Sequence, residues 1–364
     1  MQLKEIINYF EEIAPFSLQE SYDNSGIQIG NPATEVKSAI LCIDVTENVI
    51  TEAVKNSCDL IISHHPLLFG GIKKITGQTM TERIIEQAIR NDISIISLHT
   101  NIDAVMNGVN ARICDKLGLK NRKVLSPVEG KLMKLAFFVP RANAEEVSNA
   151  VFKEGAGVIG NYDSCSFNLE GKGSFRAGEG TNPYVGEKGE VHFEEEIRVE
   201  TIMPSHLKNR VIESLIQAHP YEEVAYDVYP LENKWEQAGM GMTGEMDEEM
   251  EEHEFLNALK AVFNAGCVKY TSLLNKKIKK VAVCGGSGSF LLNKAIASKS
   301  DVFVSADFKY HQFFEAEGKI LIADIGHYES EQFTKELFYE NLTKKFPKFA
   351  VRLSEVNTNP INYL

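Results

Sequence analysis

Leu60-Ile61-Ile62-Ser63-His64-His65-Pro66 is the stretch on which the reading of this 364-residue chain turns. Residues 60–63 form a short, mostly apolar run, as expected of a strand covered on both faces in a parallel sheet. Pro66 has no backbone donor and halts the ladder. The imidazoles of His64 and His65 therefore emerge at the carboxyl end of a buried strand, the edge where open α/β sheets bind ligands. A lone histidine there would usually be structural; two in a row before a proline point as much to metal or catalytic chemistry as to packing.

Working outward, strand patterns over 38–43, 59–63 and 93–98 alternate with helical spacing over 47–56 and 81–90. Short apolar strands separated by helices predict βαβ units with parallel pairing. The last third repeats this, with strands expected over 280–284, 301–305 and 319–325 and helices over 290–298 and 329–344. At a constant offset of 242, Lys37 meets Lys279, Cys42 meets Cys284, Ala53 meets Ala295, Asp59 meets Asp301 and Ser63 meets Ser305. Any two βαβ units share some of this pattern, but the identities favour two related lobes. The same alignment sets Asp307 where His65 stands.

Between them, a strand over 132–139, a helix over 144–153, a Gly-rich middle, a strand over 191–202, a helix over 204–218 and a strand over 224–231 suggest a small ferredoxin-like sandwich. The expected fold class is thus α/β. Two related βαβ lobes, 1–129 and 236–364, form the metal-binding core, and a ferredoxin-like α+β insert, 130–235, interrupts them.

Two further strand ends carry chemistry. The strand over 93–98 runs into His99-Thr100-Asn101-Ile102-Asp103, where Asp103 either caps a helix or offers a carboxylate to the same edge. His99 either supports a ligand or packs in the core. Near the C-terminus, His327 and Glu331 stand at i and i+4 on one helical face, where imidazole and carboxylate can clamp one ion. Each feature alone is ordinary; together His64, His65, Asp103, His327 and Glu331 form a candidate ligand set. Mixed imidazole and carboxylate donors suit zinc, iron, manganese or cobalt better than magnesium. Five protein ligands leave positions for water in two sites, which means catalysis rather than scaffolding.

Other motifs are open to two readings. The Gly285-Gly286-Ser287-Gly288-Ser289 loop either cradles a phosphate or makes a tight turn. Asp307 and His311, also at i and i+4, are candidate supports behind the ligands or candidate substrate contacts. The acidic run 246–252 reads as a solvated helix start. In the insert, His192, His206 and His219 lack convergent spacing and are assigned no metal, although His219-Pro220-Tyr221-Glu222-Glu223 packs polar groups tightly.

A net charge of −13 argues against non-specific nucleic-acid binding. No apolar run reaches the about 18 residues of a membrane span. The N-terminal stripe Leu3, Ile6, Ile7 and Phe10 is amphipathic rather than a leader. Six scattered cysteines without a CxxC pair fit a reducing compartment. A cytoplasmic protein is expected.

Tyr22-Asp23-Asn24-Ser25-Gly26-Ile27-Gln28-Ile29-Gly30, Ser63-His64-His65-Pro66, His99-Thr100-Asn101-Ile102-Asp103 and Gly326-His327-Tyr328 with Glu331 together resemble the Nif-three-like family, also called GTP cyclohydrolase 1 type 2 homologues. The family usually has Trp at the position of Tyr22. The segment 219–230 looks like the insert of the longer bacterial, YqfO-type members, which is similar to the trimer-forming PII/CutA fold. The resemblance implies two divalent metal ions per subunit on His64, His65, Asp103, His327 and Glu331, with Glu331 bridging, and a toroidal homohexamer. It also implies a metal-dependent hydrolase acting on a nucleotide, GTP by family name. In such a reaction hydroxide attacks the imidazole carbon of guanine, His99 or His311 shuttles protons, and formate leaves. A nucleotide phosphoesterase is an equally natural use of two metals. A non-enzymatic metal- or nucleotide-responsive binding protein, with the insert as sensor, is the third expectation.

Overall fold

The computed structural model describes residues 1–364 and divides into two compact units. One joins Met1–Pro127 to Gln237–Leu364; the other is Val128–Glu236.

The first unit opens with helix α1 (Leu3–Ile13), whose Leu3, Ile6 and Phe10 are buried. Its first sheet comprises β1 (Gly26–Ile29), β2 (Ser38–Cys42), β3 (Leu60–Ser63), β4 (Ser94–Ser97) and, from the far end of the chain, β15 (Ala350–Leu353). The order is β1-β4-β3-β2-β15, parallel except for β1. Helices α2 (Glu47–Lys55) and α3 (Met80–Arg90) make the crossovers, each started by a threonine side chain that accepts a backbone N–H. Short α4 (Thr100–Asp103) and α5 (Val109–Lys116) follow β4. Every residue of β3 is buried, and Ile61 and Ile62 have no exposed surface. Burial of side chains that size contributes about 1.5–3 kcal/mol each, so a one-residue register slip is heavily disfavoured.

The second sheet of this unit contains β5 (Lys120–Val128), β10 (Trp235–Glu251), β11 (Lys269–Tyr270), β12 (Lys277–Ser287), β13 (Val302–Ala306) and β14 (Leu321–Asp324). Its order is β11-β14-β13-β12-β10-β5, with β12, β13 and β14 parallel. Helices α8 (Glu252–Val262), α9 (Leu292–Ala297) and α10 (His327–Glu331) accompany it, whereas α11 (Thr334–Lys345) packs on β2 and β15 of the first sheet.

The parallel trios β4-β3-β2 and β14-β13-β12 match strand for strand, and so do their details. Asp59 accepts the backbone N–H groups of Lys37 and Ser38, while Asp301, 242 residues on, accepts those of Lys279 and Lys280. Ser57 and Lys299, the same offset apart, both adopt left-handed backbone at φ 53 and 58. The lobes do not follow chain order at their edges, however. β5 pairs into the second sheet and β15 into the first, so neither 1–129 nor 236–364 holds a whole sheet.

Two further expectations are corrected. Residues 246–251 end strand β10 instead of starting a helix, which begins at Glu252. Met246 and Met250 pack on the core, and Glu245 and Glu251 stand opposite Lys280 and Lys277 on β12, a pairing of opposite charges that favours the strand. The helix expected over 329–344 is two helices, α10 and α11, separated at 332–333.

The second unit contains β6 (Leu132–Pro140), α6 (Ala144–Lys153), β7 (Ser166–Arg176), β8 (Val191–Pro204), α7 (Lys208–Ala218) and β9 (Tyr226–Leu231). Its sheet is antiparallel in the order β7-β8-β6-β9. This βαββαβ arrangement is ferredoxin-like. Leu135, Phe137 and Val199 of the sheet pack against Val147, Val151, Val211 and Leu215 of the helices. The Gly-rich middle hid β7, a long edge strand with most residues exposed.

Candidate metal centre

Four imidazoles and two carboxylates converge where the strands of both lobes end. His64 and His65 follow β3, His99 and Asp103 lie just beyond β4, and His327 and Glu331 form α10 after β14. Cys42 O and Ile43 O accept the backbone N–H groups of His64 and His65, holding both residues in register beyond the strand.

Each imidazole is fixed through Nδ1. His64 Nδ1 donates to Leu98 O at 2.8 Å; a carbonyl only accepts, so Nδ1 carries a proton and Nε2 is the nitrogen turned to the cluster. His65 Nδ1 lies 2.7 Å from Asp44 Oδ1, His99 Nδ1 2.8 Å from Asp23 Oδ1 and His327 Nδ1 2.6 Å from Asp307 Oδ2. Carboxylate or carbonyl support at one nitrogen is how metal-ligating histidines are held, with the other nitrogen turned to the ion.

The free nitrogens meet the carboxylates. His64 Nε2 stands 3.8 Å from Asp103 Oδ1 and 3.6 Å from Glu331 Oε1. His65 Nε2 and His327 Nε2 lie 3.0 and 3.1 Å from Glu331 Oε2, and 3.3 Å from each other. Metal bonds of about 2.0–2.1 Å place tetrahedral donor atoms about 3.4 Å apart, and the observed separations bracket that value. His64 Nε2 and Asp103 Oδ1 are shielded from solvent yet have no hydrogen-bond partner. Buried polar atoms left so would be costly unless a cation satisfied them. His64, His65 and Glu331 have donor atoms within 4.8 Å of one another and can hold a metal ion.

The electrostatics ask for positive charge. Burial pulls His65 toward neutrality, but its bonds to Asp44 and Glu331 outweigh this and raise its pKa to about 10. His327 responds in the same way to Asp307 and Glu331, reaching about 11. Burial and the Glu331 charge push Asp103 up to about 8. Glu331 moves the other way: burial opposes its ionisation, but the surrounding imidazoles hold it well below the usual carboxylate range. Protons thus collect where no metal neutralises the carboxylates.

The cleft above these groups encloses about 400 Å³ and is rimmed by Tyr22, Phe69 and Phe290. All three rings are more than half exposed, and those of Tyr22 and Phe69 lie 6.3 Å apart.

Several supporting residues were not found in the sequence. Asp23, seen only as part of a motif, is a hub: Thr100 N, Thr100 Oγ1 and Ser25 Oγ donate to it beside His99. Asp44 follows the end of β2 at the same sheet edge, the signal that would have found it. Thr358 donates to Asp44 Oδ2 at 2.8 Å from the C-terminal tail, and Asn359 donates to Glu329 on α10.

Two readings change. His311 lies exposed in a 3₁₀ turn against Tyr310 and Phe314 and does not line the cleft, whereas Asp307 supports His327. The loop 285–289 has two of its backbone donors already taken. Gly285 N and Gly286 N already donate to Asn110 Oδ1 and Ser330 Oγ, and a short 3₁₀ turn rather than an α-helix N-terminus follows.

These features define a class: a mixed α/β protein with paired lobes and an imidazole–carboxylate cluster able to hold metal. The chain belongs to the Duf34/NIF3 (NGG1p interacting factor 3) family, which it matches over residues 1–360. It is 39% identical to a protein named GTP cyclohydrolase 1 type 2 homolog from Halalkalibacterium halodurans, covering 99% of this chain and 98% of that one. A Bacillus subtilis protein of the same name is 37% identical with the same coverage. Among solved structures, a Bacillus cereus protein described as related to NIF3 superposes with a TM-score of 0.88 at 38% identity, covering 100% of this chain and 99% of that one. No helix is long and apolar enough to cross a membrane.

Proposed function

We propose that the cleft holds two divalent ions, one among His64, Asp103 and Glu331 and one among His65, His327 and Glu331. On this reading the protein is a metal-dependent hydrolase of a nucleotide, with GTP suggested by the relatives' name. The observation that carries the metal site is the meeting of two solvent-shielded, unpartnered donor atoms, His64 Nε2 and Asp103 Oδ1, beside the buried Glu331 carboxylate in one cleft. Bound divalent cations would supply Lewis acidity and lower the pKa of water.

The chain's own residues do the rest. Glu331 offers one oxygen to each half of the cluster. Asp44 and Asp307 orient His65 and His327 from behind. His99, held at Nδ1 by Asp23, presents Nε2 to the cleft and can carry a proton there. The aromatic rim of Tyr22, Phe69 and Phe290 receives a planar base.

A homohexamer in the cytoplasm completes the reading. Exposed Phe167, Leu169 and Phe193 on the insert's sheet support self-association, and sedimentation tests it. For the reaction, metal-loaded protein is incubated with GTP while formate and phosphate are followed separately. Formate release supports the cyclohydrolase; phosphate alone replaces it with a phosphoesterase; neither product from loaded protein rejects GTP hydrolysis.

A further inference from the structure

In the insert unit, the motif His219-Pro220-Tyr221-Glu222-Glu223 builds a second cavity, which the metal centre does not use. It measures about 340 Å³, at the small end of the about 300–1,000 Å³ typical of ligand pockets. Each part of the motif has a structural task. His219 Nε2 donates to Phe138 O at 2.9 Å and His219 Nδ1 accepts the Tyr221 N–H at 3.0 Å, so both ring nitrogens are occupied and the turn is tied to β6. Glu222 Oε1 accepts the Asn182 N–H at 2.9 Å, which holds the 177–184 loop over the cavity.

The walls are aromatic and the charge is acidic. Rings of Phe175 and Tyr184 lie 5.9 and 6.2 Å from that of Tyr221, tilted around the opening. The Tyr221 hydroxyl is shielded from solvent and makes no hydrogen bond of normal geometry. Burial and the neighbouring Glu196 carboxylate raise its pKa. Glu196 lines the cavity and has no cationic partner, unlike Glu194, which pairs with His192. Gly173 makes room for it: a Cβ there would come within 2.2 Å of Glu196 Oε2. Glu223 adds a third carboxylate, and Arg176, the lone basic residue of the lining, is exposed.

A π-face attracts cations, and an adjacent carboxylate that lacks a cationic partner strengthens that preference. We propose that this pocket binds a small organic cation, an alkylammonium or quaternary ammonium group, between the rings of Phe175, Tyr184 and Tyr221 and against Glu196. An anionic nucleotide would meet three carboxylates there and be repelled.

Calorimetric titration of the full chain with choline, n-butylammonium and the neutral choline isostere 3,3-dimethylbutan-1-ol tests this. Both cations should bind saturably, with the isostere about tenfold weaker or worse, and Glu196→Gln and Tyr221→Leu should each weaken the cations about tenfold. Tyr184→Ala, at an exposed ring, serves if Tyr221→Leu fails to fold by circular dichroism. A His64→Ala variant should retain the binding, which separates this pocket from the metal centre. No saturable binding of either cation, equal binding of the neutral isostere, or affinities unchanged in the folded variants would overturn the assignment.

Discussion

Ser63-His64-His65 and Ser305-Ala306-Asp307 end equivalent strands, β3 and β13, yet they do different work. In the first lobe, His65 presents Nε2 to the cluster and is supported by Asp44. In the second, Asp307 at the matching position is itself the support, holding His327 from a neighbouring element. Asp44 has its own counterpart in Gly286. A Cβ at Gly286 would lie 2.3 Å from Glu331 Oε1 and 3.1 Å from His327 Nε2, and its φ is +60. A duplicated scaffold therefore carries an asymmetric division of labour. One strand end donates, the other supports, and the space freed by the absent side chain at Gly286 is filled by Glu331.

The largest effect should come from breaking the residue on which both halves converge. Glu331→Ala should lose both ions, read as metal per protein by elemental analysis after dialysis. Full two-metal occupancy in that variant would reject the shared-carboxylate reading.

Next in size is Gly286→Ala, which restores a side chain to the second lobe. Left-handed backbone costs a non-glycine residue about 1–2 kcal/mol, and the added carbon displaces Glu331. Metal affinity should fall together with the denaturation midpoint. Unchanged metal affinity would mean that Glu331 does not need this space.

The two supports can then be compared directly. Asp44→Asn and Asp307→Asn should each weaken metal binding about 10–100-fold, the usual consequence of removing a ligand's hydrogen-bonded support. A chelator competition with zinc or manganese reads both. If only one variant responds, one of the two imidazoles is not a ligand.

The smallest effects probe the scaffold away from the metal. Asp59→Ala and Asp301→Ala each remove a carboxylate that accepts two backbone N–H groups, and each should cost about 1–3 kcal/mol of stability with metal content intact. Urea unfolding of both variants should give similar losses. A large disparity would show that the matched strand starts are not energetically equivalent.

How much of this was legible in the sequence follows from how local each signal is. Apolar runs ending in His-His-Pro or Gly-His place a strand end and its donors within a few residues, so the sheet edge and the ligand candidates could be read directly. The repeat at offset 242 was legible for the same reason, because buried alternation and strand-start aspartates recur in place. His311 was misread because i, i+4 spacing has meaning only on an α-helix, and Tyr310–Ala316 is a 3₁₀ turn. The acidic run 246–252 was misread because Lys277, the charge opposite its Glu251, lies on a strand that local composition cannot pair with it.

The sequence by itself determined the parallel βαβ cores, the ferredoxin-like insert and the residue types of the candidate centre, since hydrophobic periodicity and strand termination act over neighbouring residues. Only the tertiary structure decided which sheet takes β5 and β15, which acceptor stands behind each imidazole, and that Thr358 reaches Asp44. Edge pairing, hydrogen-bond support and the shielding of unpartnered donors are set by groups far apart in the chain, and they exist only once the lobes have closed on a common cleft.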